Sequence, residues 1–319
     1  MASVAVALCT FNGERYVADQ LRSLARQTRL PDMVAVVDDA SNDGTLEIVR
    51  DFARHAAFRI TVEVNPVRLG ATASFGKAIG LCEGDVIFLC DQDDVWYESK
   101  IERLAACVGE DRLLAFCDAD LVNEDLSKRG HTLWDSIGLS SRERLSLSRT
   151  GQAFDLFMKR NLAWGATMAF RAASRKQLLP LPPELGHDTW IFLVLSSLGN
   201  VHAVNEPLFM YRQHSRQMYG AATAHTLSDR VSSAVKSPRR YQEMLLETWS
   251  RILGSMTEVS AIPANRVRVV EQRTKHLAAR AGLSDGRFSR VAPVLRELAS
   301  GRYRRFSNGL RSAAIDLLS

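Results

Sequence analysis

The chain has 319 residues, 46% of them hydrophobic and 24% charged, with a formal net charge of +5. Those proportions describe an ordinary globular protein with a sizeable core and argue against a disordered or low-complexity chain. No stretch reaches the roughly 18 apolar residues of a membrane-spanning helix, the longest candidate being "WIFLVLSSLG", so an integral membrane protein is not expected.

The opening "MASVAVALCTF" lacks a basic leader and reads as a strand over 3–9 rather than as a signal peptide. A helix follows with Val17, Leu21, Leu24 and Ala25 on one face, ending before Pro31. "MVAVVDD" (33–39) predicts a second strand, and Leu46, Val49 and Ala53 a second helix. "FRITVEV" (58–64) is the third strand; Phe75, Ala78, Ile79 and Cys82 mark the helix after it. "DVIFLC" (85–90) is the fourth strand, and Ile101, Leu104, Ala105 and Val108 fall on another helix. From about 120 to 186 the pattern loosens, which predicts long loops and short elements covering a cleft. Beyond 225 the chain reads as helices with basic faces. "SPRRYQEMLLETWSRIL" (237–253) and "GRYRRFSNGLRSAAIDLL" (301–318) pair arginine clusters with apolar stripes.

Strands alternating with helices predict an α/β fold with a mostly parallel central sheet and helices on both faces. The strands are apolar without alternation, as in a sheet buried on both sides. The five cysteines have no CxxC and no metal-ligand spacing, and read as small core residues of a reduced, cytosolic protein. Charge divides the chain. Residues 1–225 carry 24 Lys and Arg against 28 Asp and Glu, whereas residues 226–319 carry 17 against 8. That division predicts a domain over 1–225 and a basic helical region over 226–319, with different partners.

In open α/β sheets, ligands bind beyond the carboxyl ends of the strands. The loops expected there are "TFNGE", "DDASNDGT", "NPVRLG", "DQDD" and "DAD" (118–120). The "FLCDQDDVW" stretch (88–96) places three carboxylates within four residues beside a buried strand. Such a group can hold a hard divalent cation and, through it, a diphosphate. In "VDDASNDGT" (37–45), Asp39 can accept from a base or ribose, while Asp43 suits a turn and Thr45 a helix start. A calcium loop fails, because the twelfth position is Arg50. No GxxxxGK[ST] or GxGxxG occurs, which leaves neutralisation of phosphates to a metal. "GHDTW" (186–190) puts Asp188 before an apolar helix, where it can cap the helix or act as a general base, with His187 beside it. "YRQHSRQMYG" (211–220) groups Arg212, His214 and Arg216 in a basic loop that suits an acidic rim.

Taken together, "VAVALCTFNGERYVADQLRSLARQ", "VVDDASNDGT", "RLGATASFGKAI", "FLCDQDDVW", "HDTW" and "YRQHS" resemble the family-2 glycosyltransferases of GT-A fold. They are most similar to bacterial rhamnosyltransferase-type enzymes of O-antigen and surface-polysaccharide synthesis. The resemblance implies that Thr10, Phe11, Asn12 and Glu14 hold the nucleoside, that Asp39 binds the base, and that Arg68 approaches the nucleotide. It implies Asp93 as metal ligand with His214, Asp91 on ribose or metal, Asp94 near the sugar, and Asp188 as general base. Trp190, Trp164 and Gly165 are expected at the acceptor. His187 departs from the acid that many relatives carry before the catalytic aspartate. The expected cofactor is Mg²⁺ or Mn²⁺. Expected partners are a dTDP- or UDP-sugar donor and a saccharide acceptor, lipid-linked, with no nucleic acid. The expected location is cytoplasmic, with the basic C-terminal region touching the anionic inner face of the membrane. A sugar-nucleotide pyrophosphorylase and a catalytically silent nucleotide-sugar-binding protein are the rival readings; the first would want a glycine-rich basic loop where "TFNGERY" stands.

Overall fold

In chain order the elements are β1 (Val4–Thr10), α1 (Val17–Ala25), β2 (Met33–Asp38), α2 (Thr45–His55), β3 (Arg59–Val64), α3 (Ala71–Leu81) and β4 (Val86–Cys90). These are followed by β5 (Val95–Trp96), α4 (Lys100–Ala105), β6 (Arg112–Val122), β7 (Lys128–Thr132), α5 (Leu133–Ser136), α6 (Ser141–Ser146) and α7 (Gln152–Phe157). Next come β8 (Met168–Arg171), α8 (Arg175–Leu178), α9 (His187–Leu198) and β9 (Asn200–Arg212). The remainder is helical: α10 (Pro238–Glu258), α11 (Ala264–Ala281), α12 (Arg287–Ala299), α13 (Arg302–Phe306) and α14 (Leu310–Leu318). This computed structural model describes residues 2–147, 149, 151–215, 217, 238–284 and 286–318.

Among the described residues the strands form one sheet in the order β3-β2-β1-β4-β8-β6-β9-β5, with β7 on β6. The first four are parallel. Their order turns back after β3, so right-handed crossovers place α1 and α2 on one face and α3 on the other. β1, β2 and β4 are buried almost throughout; each fully buried Val, Leu or Ile contributes about 1.5–3 kcal/mol. β3 alternates half-buried and exposed residues, as befits an edge strand carrying Arg59 and Glu63. Register sets the strand ends level, Thr10 opposite Asp38 and Leu8 opposite Cys90. The loops that follow therefore emerge at one edge.

Past β4 the sheet is mixed. β8 runs antiparallel between β4 and β6, pairing Phe88 with Ala169 and Phe116 with Met168. β9 then runs parallel to β6, and β5 antiparallel to β9. Two expectations are corrected here. "MAFR", placed in a loosely structured cover, is an interior strand. "DAD" is not a loop, because β6 continues through it and buries Asp118. The Asp118 carboxylate accepts the Trp134 N–H at 2.9 Å and lies 3.6 Å from Arg144. The strand persists because apolar residues flank these acids on either side.

The described chain folds as two compact units, Met1–Ala153 with Ala163–Thr223, and Phe154–Leu162 with Ala224–Ser319. In the second, α10 packs along α11. The Arg273 guanidinium lies 3.9 Å from the Trp249 ring centroid. Val294, Tyr303 and Ala313 form the core of α12–α14. The stripe expected over 301–318 is two helices, because Gly309 takes a left-handed φ of +60° between them. Cys82, Cys90 and Cys117 are buried, Cys9 and Cys107 half-buried, and all five are free thiols.

Candidate active site

The loop after β1 is fastened to the loop after β2. Thr10 donates its hydroxyl to Asp38 at 2.6 Å, and Asp38 also accepts the Ser41 N–H at 2.8 Å. Asn12 sits at φ +46°, a conformation asparagine tolerates. Its N–H donates to Ser41 Oγ at 2.9 Å, and its side-chain oxygen accepts the Asn42 N–H at 3.0 Å. Glu14 accepts the Gly44 N–H at 3.2 Å. Asp43 acts as the turn residue, accepting the N–H groups of Thr45 and Glu14.

Asp39 anchors the third loop. Its carboxylate accepts from the Leu69 N–H at 2.7 Å, the Gly70 N–H at 2.8 Å and the Asn65 amide at 2.8 Å. Burial alone would raise it, but these bonds prevail and hold it below the ordinary carboxylate range. The Ser74 side chain bonds to it as well, so protein donors match the roughly four acceptor positions that a carboxylate offers. From the same loop, the Arg68 guanidinium covers the Phe11 ring at 4.0 Å.

The fourth loop joins through Gln92. Its Oε1 accepts the Phe11 N–H at 2.8 Å and its Nε2 donates to the Phe11 carbonyl at 2.9 Å. A methyl group on Gly13 would lie 2.1 Å from that Oε1, so the glycine is what lets the amide enter. Nothing in the local sequence marks Gln92 for this role.

The acids themselves are crowded. Loss of hydration, then the charges of Asp93 and Asp188, push Asp91 up to about 7, opposed by Lys100. Asp94 is fully buried and held well above its ordinary range, by burial first and then by Asp93 and Asp91. One Asp94 oxygen accepts the Arg212 N–H at 3.3 Å; the other has no hydrogen-bond partner among the described residues. Two protein cations, Lys100 and Arg212, stand among these carboxylates. Lys100 is buried, donates to the Ala166 carbonyl at 2.6 Å and lies 3.8 Å from the Trp96 ring centroid. Arg212 donates to the Asp93 carbonyl at 2.8 Å, to the Glu124 carbonyl at 2.6 Å and to the Asp19 carboxylate at 2.9 Å.

Asp93 Oδ2 and His214 Nε2 lie 2.9 Å apart, and the Tyr16 ring packs on the imidazole at 4.4 Å between centroids. Tyr16, also missed from sequence, donates its hydroxyl to Glu124 at 2.7 Å. Among the described residues no three His, Cys, Asp or Glu side chains form a ready-made metal cage. Mg²⁺ sites commonly use one or two carboxylates and complete the shell with water and substrate phosphates. The Asp93–His214 pair, beside the orphaned Asp94 oxygen, fits a cation of that kind. Arg216 lies outside the described residues.

Asp188 occupies the first turn of α9 and accepts the Thr189 N–H at 2.6 Å. Its charge is one of those that raise Asp91, so it shares the electrostatic neighbourhood of the acidic loop. His187 stacks flat on Phe75 at 3.9 Å, and burial lowers its pKa against the opposing pull of Asp188. Its Nε2 has no hydrogen-bond partner among the described residues, and a methyl on Gly165 would approach it to 2.8 Å. Gly165 thus sits against His187 and next to half-buried Trp164. Trp190 is a correction: it is buried with its indole N–H donating to the Leu178 carbonyl at 3.1 Å, which makes it a core residue rather than an acceptor surface.

Residues 5–179 match the family described as Glycosyl transferase family 2. An uncharacterized glycosyltransferase, alr2836 of Nostoc, is 22% identical over 240 residues, covering 72% of this chain and 70% of that protein. The dTDP-rhamnosyl transferase RfbG of Shigella flexneri is 33% identical over 106 residues, covering 32% of this chain and only 36% of the relative. Among solved structures, S. aureus TarS 1-349 in complex with UDP-GlcNAc superposes with a TM-score of 0.59 at 16% identity, over 99% of this chain and 89% of that one. The mannosyltransferase PcManGT of Pyrobaculum calidifontis, in complex with GDP-Man and Mn²⁺, gives 0.50 at 17% identity, over 99% and 85%. These likenesses establish a GT-A fold. With more than half its length matched in order and the acidic loops converged on one edge, the chain belongs to the family-2 glycosyltransferases.

Proposed function

We propose that the protein transfers a sugar from a nucleotide donor to a saccharide acceptor, with inversion, in surface-polysaccharide synthesis. The observation that carries this reading is the meeting of Asp93 with His214 in a loop whose charge is felt alongside that of Asp188. The dTDP-rhamnosyl transferase and the Salmonella typhimurium abequosyltransferase RfbV among the relatives support an O-antigen-type role. They favour dTDP-L-rhamnose as donor, with a UDP-sugar next. Residues 1–225 would form the catalytic domain and 226–319 a basic helical region, in a cytoplasmic enzyme.

In this reading Phe11, Asn12, Glu14 and Asp39 receive the nucleoside, and Arg68 approaches its phosphates. Asp93 and His214, with Asp91, would hold Mg²⁺ or Mn²⁺, which when bound stabilises negative charge on the leaving diphosphate. Asp94 and Lys100 order the floor beneath the sugar. Asp188 takes the proton of the acceptor hydroxyl as its oxygen bonds to the anomeric carbon. The bond from that carbon to the diphosphate breaks on the opposite face, and one displacement inverts the centre. Gly165 and Trp164 border the acceptor.

The test is transfer from a panel of dTDP- and UDP-sugars with Mn²⁺ present, using wild type, Asp188→Asn and Asp93→Asn. Loss of transfer in both variants, with donor binding kept in Asp188→Asn, is the expected result. Pyrophosphate release from a nucleoside triphosphate would favour a pyrophosphorylase, and tight donor binding without turnover a silent binding protein.

A further inference from the structure

We propose that helices α12–α14 form a face that adsorbs to an anionic lipid bilayer, with side chains of α12 and α14 entering the headgroup boundary. The proposal concerns the helical unit alone and does not depend on the transferase reading. On α12, Phe288, Val291 and Leu295 recur at intervals of three and four and so share one side of the helix. They are 96%, 42% and 55% exposed, while Arg290, Val294 and Glu297 face inward. α14 repeats the pattern, with Leu310 77% and Leu318 68% exposed and Ala314 exposed between them. Single exposed apolar residues are normal; two outward apolar stripes on adjoining helices are not.

Charge narrows the choice of occupant. Between residues 286 and 318 the only acids are Glu297 and Asp316, and both are buried. Glu297 is bonded by His276 and Arg302, and Asp316 by Arg280 and Tyr303. Arg296, Arg304, Arg305 and Arg311 are exposed. Among the described side chains of this segment, the charge shown to solvent is therefore entirely positive. A second copy of the chain would set arginines against arginines. Nucleic acid phosphates would leave Phe288 and Leu310 without a role. An anionic bilayer surface accepts both features, since apolar side chains enter the acyl boundary while arginines stay at the phosphates. No described helix is long and apolar enough to cross a membrane, so contact of this kind is interfacial.

The experiment is co-sedimentation of the full chain with sucrose-loaded vesicles of phosphatidylcholine and phosphatidylglycerol, and of phosphatidylcholine alone. Binding is expected to the mixed vesicles, weakened by salt, and far weaker to the neutral ones. Phe288→Ser with Leu295→Ser should lower partitioning at least tenfold. Arg304→Gln with Arg305→Gln should lower it about 25-fold, near fivefold for each arginine. These side chains are exposed, so the far-UV spectrum and melting temperature should not change. Absence of binding at low salt, equal binding to neutral vesicles, or unaltered binding by both double variants would overturn the proposal. So would a dimer in light scattering that Phe288→Ser with Leu295→Ser dissolves.

Discussion

Gln92 lays its carboxamide against the backbone of Phe11, donating at 2.9 Å and accepting at 2.8 Å, so the acidic loop and the first-strand loop are joined by a miniature ladder. If the first loop carries the nucleoside and the second the cation, this amide sets the distance between them. Gln92→Ala removes two hydrogen bonds of about 1 kcal/mol each, which predicts a rise of roughly 30-fold in donor KM with kcat less affected. Gln92→Glu, which keeps an acceptor and loses the donor, should fall between. Steady-state kinetics with varied donor provide the measurement, and an unchanged KM in Gln92→Ala would remove the residue from this role.

Gly13 offers an independent check on the same joint. A methyl there meets the Gln92 oxygen at 2.1 Å, so Gly13→Ala should displace the amide and weaken donor binding much as Gln92→Ala does. In a Gln92→Ala background the obstacle is gone, and the glycine change should cost little further. A double-mutant cycle reads the coupling, and simple additivity would refute the steric account.

The Asp93–His214 pair predicts a metal requirement. Chelation should abolish transfer, and Mn²⁺ or Mg²⁺ should restore it. His214→Ala should raise the metal concentration giving half-maximal activity by at least tenfold, whereas Asp93→Ala should reduce activity by more than 100-fold at any concentration. Full turnover after exhaustive chelation would contradict this.

Lys100 is fully buried, and its charge opposes those of Asp91 and Asp94. Removing one partner of a buried charge set costs roughly 3–5 kcal/mol. Lys100→Met should therefore lower the urea midpoint sharply, and adding Asp94→Asn should recover part of the loss. Equal midpoints for Lys100→Met and wild type would show that the ammonium is not needed there.

The helical unit should lose stability on acidification. Burial holds His276 below its ordinary value of 6.5, prevailing over its bond to Glu297. Burial alone would raise Glu297, but the bonds from Arg302 and His276 outweigh it and hold it below 4.5. Each group binds fewer protons folded than unfolded, so stability falls as pH drops, first through His276 below about 6.5 and then through Glu297 below about 4.5. Urea unfolding of wild type and His276→Gln across that range should show a shallower first step in the variant.

The parallel half of the sheet could be read from residues alone because β1, β2 and β4 are buried on both sides and therefore apolar without interruption. The acids beyond them announced a charged rim for the same reason, standing out against Val, Ile and Leu. What escaped was set by partners distant in sequence. β8 is four residues whose strand state depends on β4 and β6, and Asp118 looked like a loop acid until Trp134 and Arg144 came to meet it. Gln92, Tyr16 and Lys100 have no local signature, since these hydrogen-bond partners of theirs lie 66–108 positions away. Trp190 misled because an indole beside a candidate catalytic aspartate serves a core equally well. Residues 154–162 joined the helical unit through packing that their short apolar run does not announce.

α9 and β9 follow one another with a single residue between them, Asp188 in the first turn of one and His214 just past the end of the other. The candidate proton acceptor and the candidate metal ligand are thus mounted on one continuous arm, braced where Arg212 grips Asp19 and the Glu124 carbonyl. Anyone exchanging specificity between relatives would do well to move residues 187–214 as one cassette. A graft that cuts inside it would retune the two halves of the chemistry independently, and so detune both.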